Sequence, residues 1–289
     1  MSLELVTNVV IAGVLTGLLY GLMALGLSVI FGVVRVVNFA HGEMMTVAMY
    51  CAVSLFAAFG LDPFLSALPV GAAFFALGYL LQAAVINPFI TRPEHSQFML
   101  LVAIALILVN GLLMAFGPDA RNVQADYQLE SWALGPILFD KARVFAAGVA
   151  LAASLALFAF FRYSLTGKAI RACADNNLGA RVVGLDVKHL YALTFGLGSA
   201  CVAVAGCMMI LLVDVTPVLG PAYTLLAFVI VIVGGLGSMG GALLGGVLIG
   251  VSEALAGLLI VPSAKSMFSF GLLILVLLFR PQGLLGRRS

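Results

Sequence analysis

RYSLTGKAIRACADNNLGARVVGLDVKH, residues 162–189, decides how the rest of the chain is read, because it is a polar, basic interruption between two apolar blocks of membrane length. It carries Arg162, Lys168, Arg171, Arg181 and Lys188, five of the fourteen Lys and Arg residues. Short loops rich in Lys and Arg stay on the cytoplasmic side of a membrane. The stretch therefore reads as a cytosolic segment, and it sets the orientation of the blocks around it.

Outward from it, apolar blocks fall at 6–34, 43–60, 64–86, 97–116, 142–162, 191–213, 221–236, 241–260 and 264–280. The chain is 63% hydrophobic and 9% charged, with a mean hydropathy of +1.21. That leaves too little polar surface for a water-facing exterior, which excludes a soluble globule. Blocks of about 20 residues cross a ~30 Å hydrocarbon core as helices. They do not alternate with period two, which argues against a β-barrel. The expectation is an all-α polytopic membrane protein with roughly eight or nine transmembrane helices, some of them discontinuous, in a single domain over 1–289.

Local signals set several boundaries. Asp62-Pro63 and Val261-Pro262 break helices, and Asn87-Pro88 with Thr91-Arg92-Pro93 makes a short turn. The first block exceeds one perpendicular crossing, so it tilts, leaves the membrane or unwinds at its end. Placing 163–190 and the tail from Arg280 inside puts Arg92 inside and the loop 117–141 outside. Nine crossings place the N-terminus outside, and eight remain open if a Gly-rich block is re-entrant. The first turn lacks the basic region of a signal peptide, so the first block reads as a retained span. Cys51, Cys173, Cys201 and Cys207 show no metal spacing and read as packing residues.

A weak internal repeat joins the two halves. An apolar block runs into a Gly-containing polar break at Asn38–Glu43 and again at Gly234–Gly241, at an offset of about 198 residues, as in transporters built from repeats.

Chemistry concentrates in a few places. In Arg35-Val-Val-Asn38-Phe-Ala-His41-Gly42-Glu43, buried polar groups need partners or water. One reading is an unwound connection lining a translocation path, with Asn38, His41 and Glu43 bonding one another or a substrate. The other is an ordinary turn, with Asn38 capping one helix and Glu43 at the positive end of the next. Gly234, Gly235, Gly237, Gly240 and Gly241 suit a helix break. Gly241–Gly245 and Gly246–Gly250 have the spacing of close helix contacts. Glu253 lies deep in its block and requires a partner, a hydrogen bond between helices or a proton-coupling site. Within 162–189 two short helices are expected, the first capped by Thr166 with Ile170, Cys173 and Ala174 on one face. Asn176-Asn177 interrupts it, Leu178, Val182 and Leu185 share the second face, and Gly184 ends it. Such amphipathic faces suit insertion into a groove on a soluble partner; the bland reading is an anchor on anionic lipid.

Three stretches carry a resemblance. Gly17-Leu-Leu-Tyr20-Gly-Leu-Met-Ala-Leu-Gly26-Leu continues into Phe31-Gly32-Val-Val-Arg35-Val-Val-Asn38-Phe-Ala-His41-Gly42-Glu43. With Gly167-Lys168-Ala-Ile-Arg171-Ala172-Cys-Ala-Asp175, Ala180-Arg181 and Gly184-Leu-Asp186, and with Gly234-Gly235-Leu-Gly237-Ser238-Met-Gly240-Gly241, the chain resembles the LivH-type permease subunits of branched-chain amino acid ABC importers along nearly its whole length. The resemblance implies a non-enzymatic transport subunit without cofactor or metal, in the bacterial inner membrane with its C-terminus cytoplasmic. It also implies a second related permease, two ABC ATPases and a periplasmic solute-binding protein, with membrane lipid around the assembly and no nucleic acid. Asn38, His41, Gly42, Glu43, Gly237, Ser238 and Gly240 would line or shape the substrate path. Gly167, Lys168, Arg171, Ala172, Asp175, Arg181 and Gly184 would couple to the ATPase. Leu226 stands before Ala227-Phe228 where a Lys is expected, which leaves urea, amides and small carboxylates as alternative substrates. The rival class is an ion-coupled secondary transporter using Glu253 or Glu43, and a membrane hydrolase built on His41 and Glu43 lacks a nucleophile nearby.

Overall fold

The computed structural model describes residues 3–135, 137–260 and 265–286. The helices are α1 (Leu3–Val34), α2 (His41–Phe59), α3 (Pro63–Leu80), α4 (Glu94–Phe116), α5 (Lys141–Tyr163), α6 (Leu165–Asp175), α7 (Asn177–Val182), α8 (Val187–Met209), α9 (Gly220–Gly234), α10 (Met239–Leu259) and α11 (Lys265–Phe279). Each of the nine apolar blocks holds one helix. Among the described residues seven of these are long and apolar enough to cross a membrane, α1 to α5, α8 and α10. The 15-residue α9 and α11 reach only about 22 Å at 1.5 Å per residue. Val261-Pro262 lies outside the described residues.

The long first block is one unbroken helix of 32 residues, about 48 Å, and so overshoots the ~30 Å hydrocarbon core. It stops where Arg35 takes a left-handed φ of 58°, so Arg35, and not Asn38, ends it. α3 continues as a wider π-helical turn, Leu81–Ile86, and a 3-10 turn, Asn87–Phe89. A short antiparallel hairpin unforeseen in the sequence, β1 (Ser131–Leu134) with β2 (Ile137–Asp140), stands in the 117–141 loop. Polar side chains start most of the remaining helices: Asp62 accepts from Phe64 N–H for α3, Asp140 from Arg143 for α5, Asp186 from His189 for α8 and Ser238 from Gly241 for α10.

The core is the packing of α1 against α10 and α8. Glycines let two backbones touch: a Cβ on Gly17 would lie 2.6 Å from Val247 Cα and 2.8 Å from the Gly246 carbonyl, and one on Gly250 would lie 2.5 Å from Gly17 Cα. The expected GxxxG contact at Gly246–Gly250 thus finds its partner in Gly13, Gly17 and Gly21 of α1. The Gly241–Gly245 pair instead faces α9, at Gly234 and Ile230. The molecule has a basic end, where α1, α5, α6 and the α9–α10 break meet. At the opposite end, residues 117–140 and 210–216 join through an Arg121–Val215 backbone bridge.

Candidate functional site

The backbone makes two incursions into the bundle. After Arg35, residues 35–40 fold back along α1, and His41 Nε2–H donates to the Met23 carbonyl at 2.9 Å. Met23 lies eleven residues before Val34, so α2 starts about 16 Å along α1 from its end, inside the bundle. From the other end residues 214–219 descend, with Val215 fully buried, and α9 starts at Gly220 beside Glu43. Irregular backbone at this depth is tolerated only inside protein. Two helices therefore begin at one interior point, α2 leading to one end and α9 to the other.

Thr224 ties them together. Its Oγ1 accepts from Gly42 N–H at 2.8 Å and donates to Glu43 Oε2 at 2.8 Å. Gly42 is obligatory in this geometry, since a Cβ there would strike the Gly220 carbonyl and stand 2.7 Å from Thr224 Oγ1. Asn38 Oδ1 accepts from Ala40 N–H at 3.1 Å and so shapes the turn, while its Nδ2 lies 3.8 Å from Met44 Sδ. Asn38, His41 and Glu43 are each 4% exposed or less. They do not bond one another: each reaches a different neighbour. His41 Nδ1 has no hydrogen-bond partner among the described residues.

Gly237 and Ser238 sit elsewhere, at the basic end. There a cavity of about 1580 Å³ is lined by Arg35, Glu94, Lys168, Arg171, Ala172, Asp175, Gly237 and Ser238, with Phe31, Phe39, Phe98 and Phe161 as its apolar wall. The Ser238 hydroxyl caps α10, and Gly240 is half-buried in the first turn of α10. The expected site residues thus fall into two places, an interior junction and an end cavity, and the cavity also takes in four of the expected coupling residues. Gly32 and Gly237 are packed Cα to Cα between them, since a Cβ on Gly32 would lie 3.1 Å from Gly237 Cα.

The segment after α5 forms α6 and α7 as expected, with two corrections. The cap of α6 differs, and Leu185 lies beyond the end of α7, half-buried against the core, apart from the exposed Leu178 and Val182. Ser164, not Thr166, caps α6, accepting from Gly167 N–H at 2.9 Å and donating to the Phe160 carbonyl at 2.7 Å. The chain reverses between Tyr163 and Leu165, so the first residue able to reach the free amides is Ser164. Gly167 allows the corner, because a Cβ there would lie 2.7 Å from Phe161 Cα. Ile170 and Cys173 are buried against the bundle; burial pushes the Cys173 thiol up. Asn176 ends α6 and caps α7, and Gly184, at φ 86°, ends the reversal. Leu178 and Val182 are 76% and 86% exposed, so α7 presents its apolar face to the outside.

Glu253 finds its partner in Ser269 of α11, whose hydroxyl donates at 2.8 Å, with Tyr20 and Tyr223 close by. Nothing in the sequence marks Thr224 and Tyr223, which lie in the apolar run Ala222–Phe228. Among the described residues no three His, Cys, Asp or Glu side chains gather as metal ligands do.

The family model for the permease component of branched-chain amino acid transport systems matches residues 9–277. The high-affinity branched-chain amino acid transport system permease protein LivH of Salmonella typhimurium is 34% identical, over 95% of this chain and 94% of its own length. The corresponding permease protein BraD of Pseudomonas aeruginosa is 29% identical over the same shares. Among solved structures, a chain of PsaBC from Streptococcus pneumoniae in complex with Fab superposes with a TM-score of 0.52 at 13% identity, over 96% of this chain and 92% of that one. That likeness shows the fold alone.

Proposed function

Because the chain belongs to the family of permease components of branched-chain amino acid transport systems, we propose that it is the membrane conduit of an ATP-binding-cassette importer for branched-chain or other hydrophobic amino acids. It is a multi-pass membrane protein and a transport component, not an enzyme. In this reading residues 1–289 form one permease domain that pairs with a second, related permease in the bacterial inner membrane. Of two ABC ATPases one docks on this chain's cytoplasmic coupling loop 163–190, and a periplasmic solute-binding protein delivers to the side of the external loop 117–141. The basic end, with the C-terminal tail, is then cytoplasmic.

The observation that carries the reading is the division of labour between α6 and α7. α6 is packed into the bundle through Ile170 and Cys173, while α7 offers Leu178 and Val182 outward, as a helix seated in a partner's groove requires. Lys168, Arg171, Ala172 and Asp175 stand between that surface and Gly237–Ser238 across one cavity. A push on α6 thus has a short route to the α9–α10 break. Asn38, His41, Gly42 and Glu43 shape the path from inside, by fixing where α2 and α9 start; Gly237, Ser238 and Gly240 shape its cytoplasmic end.

The test is uptake of radiolabelled leucine into proteoliposomes holding the assembled complex and its binding protein. The expected result is accumulation that requires internal ATP and survives collapse of the proton gradient, with Leu178→Asp abolishing ATPase capture. Uptake that persists without ATP and stops with the gradient would overturn the proposal. Urea and short amides as competitors decide whether Leu226 marks a different substrate.

A further inference from the structure

A helix leaves its last four carbonyls without partners inside the helix. For α9 those belong to Val231, Ile232, Val233 and Gly234. Gly235 N–H takes the Val231 carbonyl at 2.9 Å. Two of the others are taken from far along the chain: Leu284 N–H donates to the Val233 carbonyl and Leu285 N–H to the Gly234 carbonyl, each at 2.9 Å. The segment after α11 therefore runs back and closes the end of α9.

The fit is close enough to depend on glycine at two positions. Gly235 and Gly283 both have left-handed φ, 107° and 78°. A Cβ on Gly235 would lie 2.5 Å from Gly286 N, and one on Gly283 would lie 2.5 Å from Gly235 Cα. On its other side the same break is held by Gly32 against Gly237, and Leu285 lines the cavity shared with Lys168, Arg171 and Asp175. The break thus sits between the end of α1, the coupling segment and the tail.

We propose that residues 281–286 are a positioning strap for transport: they clamp the α9–α10 break so that movement of α6 is passed to α9, which starts at the Glu43–Thr224 junction. The inference rests on the ABC permease reading. Without the strap, nucleotide hydrolysis by the partner ATPases continues but no longer moves α9.

The test compares Leu284→Pro, which removes one donor to α9, Gly283→Ala, which pushes the strap off Gly235, and Leu278→Ala, on the exposed side of α11 outside the strap. Each is measured in the reconstituted complex as leucine taken up per ATP hydrolysed. The expected result is a fall of about five- to tenfold in that ratio for the first two, the size of one backbone bond's bias on a two-state equilibrium, with ATPase activity within about twofold of wild type. Leu278→Ala keeps a near wild-type ratio. An unchanged ratio in Gly283→Ala overturns the strap. So does failure of both Leu284→Pro and Gly283→Ala to assemble, since the tail is then a folding element. If the wild-type complex itself shows no ATP-dependent uptake, the ABC reading has failed and not the strap.

Discussion

Replacing Thr224 by Val removes one hydroxyl at nearly constant volume, so it opens no cavity and isolates the two bonds at the interior junction. One of them satisfies the Gly42 amide and the other the Glu43 carboxylate, both at 2.8 Å, and Thr224 is only 4% exposed. A buried amide left without an acceptor costs about 1–3 kcal/mol, and a hydrogen bond to a charged group contributes about 1.5–3 kcal/mol. The sum is about 2.5–6 kcal/mol, roughly seventyfold or more in an equilibrium constant. Where that energy is read depends on when the bonds exist. Bonds kept throughout the cycle lower only the stability of the complex; bonds made in one half of the cycle depopulate that half. The assay is the initial rate of ATP-driven leucine uptake at matched protein, beside the midpoint of thermal aggregation. We expect Thr224→Val to assemble, to aggregate at lower temperature and to transport at least about tenfold more slowly. Thr224→Ser keeps both bonds and stays within about twofold of wild type. A Thr224→Val complex that matches wild type in both measurements would refute the reasoning, because the start of α9 would then not be anchored at Gly42 and Glu43.

Two further outcomes follow from packing and burial. Gly17→Ala must part α1 from α10, where its Cβ would lie 2.6 Å from Val247 Cα; Gly148→Ala in α5 meets nothing within 4 Å. The first should lose about 1–3 kcal/mol by overpacking and the second should be neutral or gain up to ~1 kcal/mol in helix propensity, read as opposite shifts in aggregation temperature; equal shifts would dismiss the close α1–α10 contact. In a variant with the other three cysteines replaced by Ala, Cys173 should react slowly with maleimide at pH 7. Its thiol is 2% exposed and held above its ordinary value by burial, so the thiolate is scarce and grows only at more alkaline pH. Ser164→Ala, which removes the cap of α6, should speed that labelling, and an unchanged rate would show that the cap does not hold α6 down.

How much of this was legible varies with the physics. Block positions follow from burial in hydrocarbon, which any long apolar run satisfies, so all nine helices were visible. The α6–α7 boundary was visible because Asn176 and Gly184 act locally, through a side-chain cap and a left-handed turn. Sequence alone puts the cap of α6 two residues late, because Thr166 has the same chemistry as Ser164 and only the corner after Tyr163 decides between them. Depth was not legible. An apolar residue at mid-membrane and one at its edge look alike, so nothing marked α9 as a helix that starts inside. Thr224 is one hydroxyl in an apolar run, and its meaning comes from Gly42 and Glu43, which lie 182 and 181 positions away.

The junction also explains why the acid at 43 is tolerable. The ion pairs Lys141–Glu130 and Arg143–Asp140 lie near the end that bears the hairpin, and neither reaches Glu43, which is buried. A buried carboxylate in that position would ordinarily be prohibitive. Here the starts of α2 and α9 stand together, and each helix start carries about half a positive charge from its free amides. Two such poles at backbone contact repel each other, and a carboxyl placed between them offers both an acceptor. Glu43 lies in the first turn of α2, packs beside Gly220 at the start of α9, and its carboxyl accepts from Thr224, the fifth residue of α9. The polar residues 38–43 thus join the starts of α2 and α9, and the glycines at 42 and 220 are what let those two starts come close.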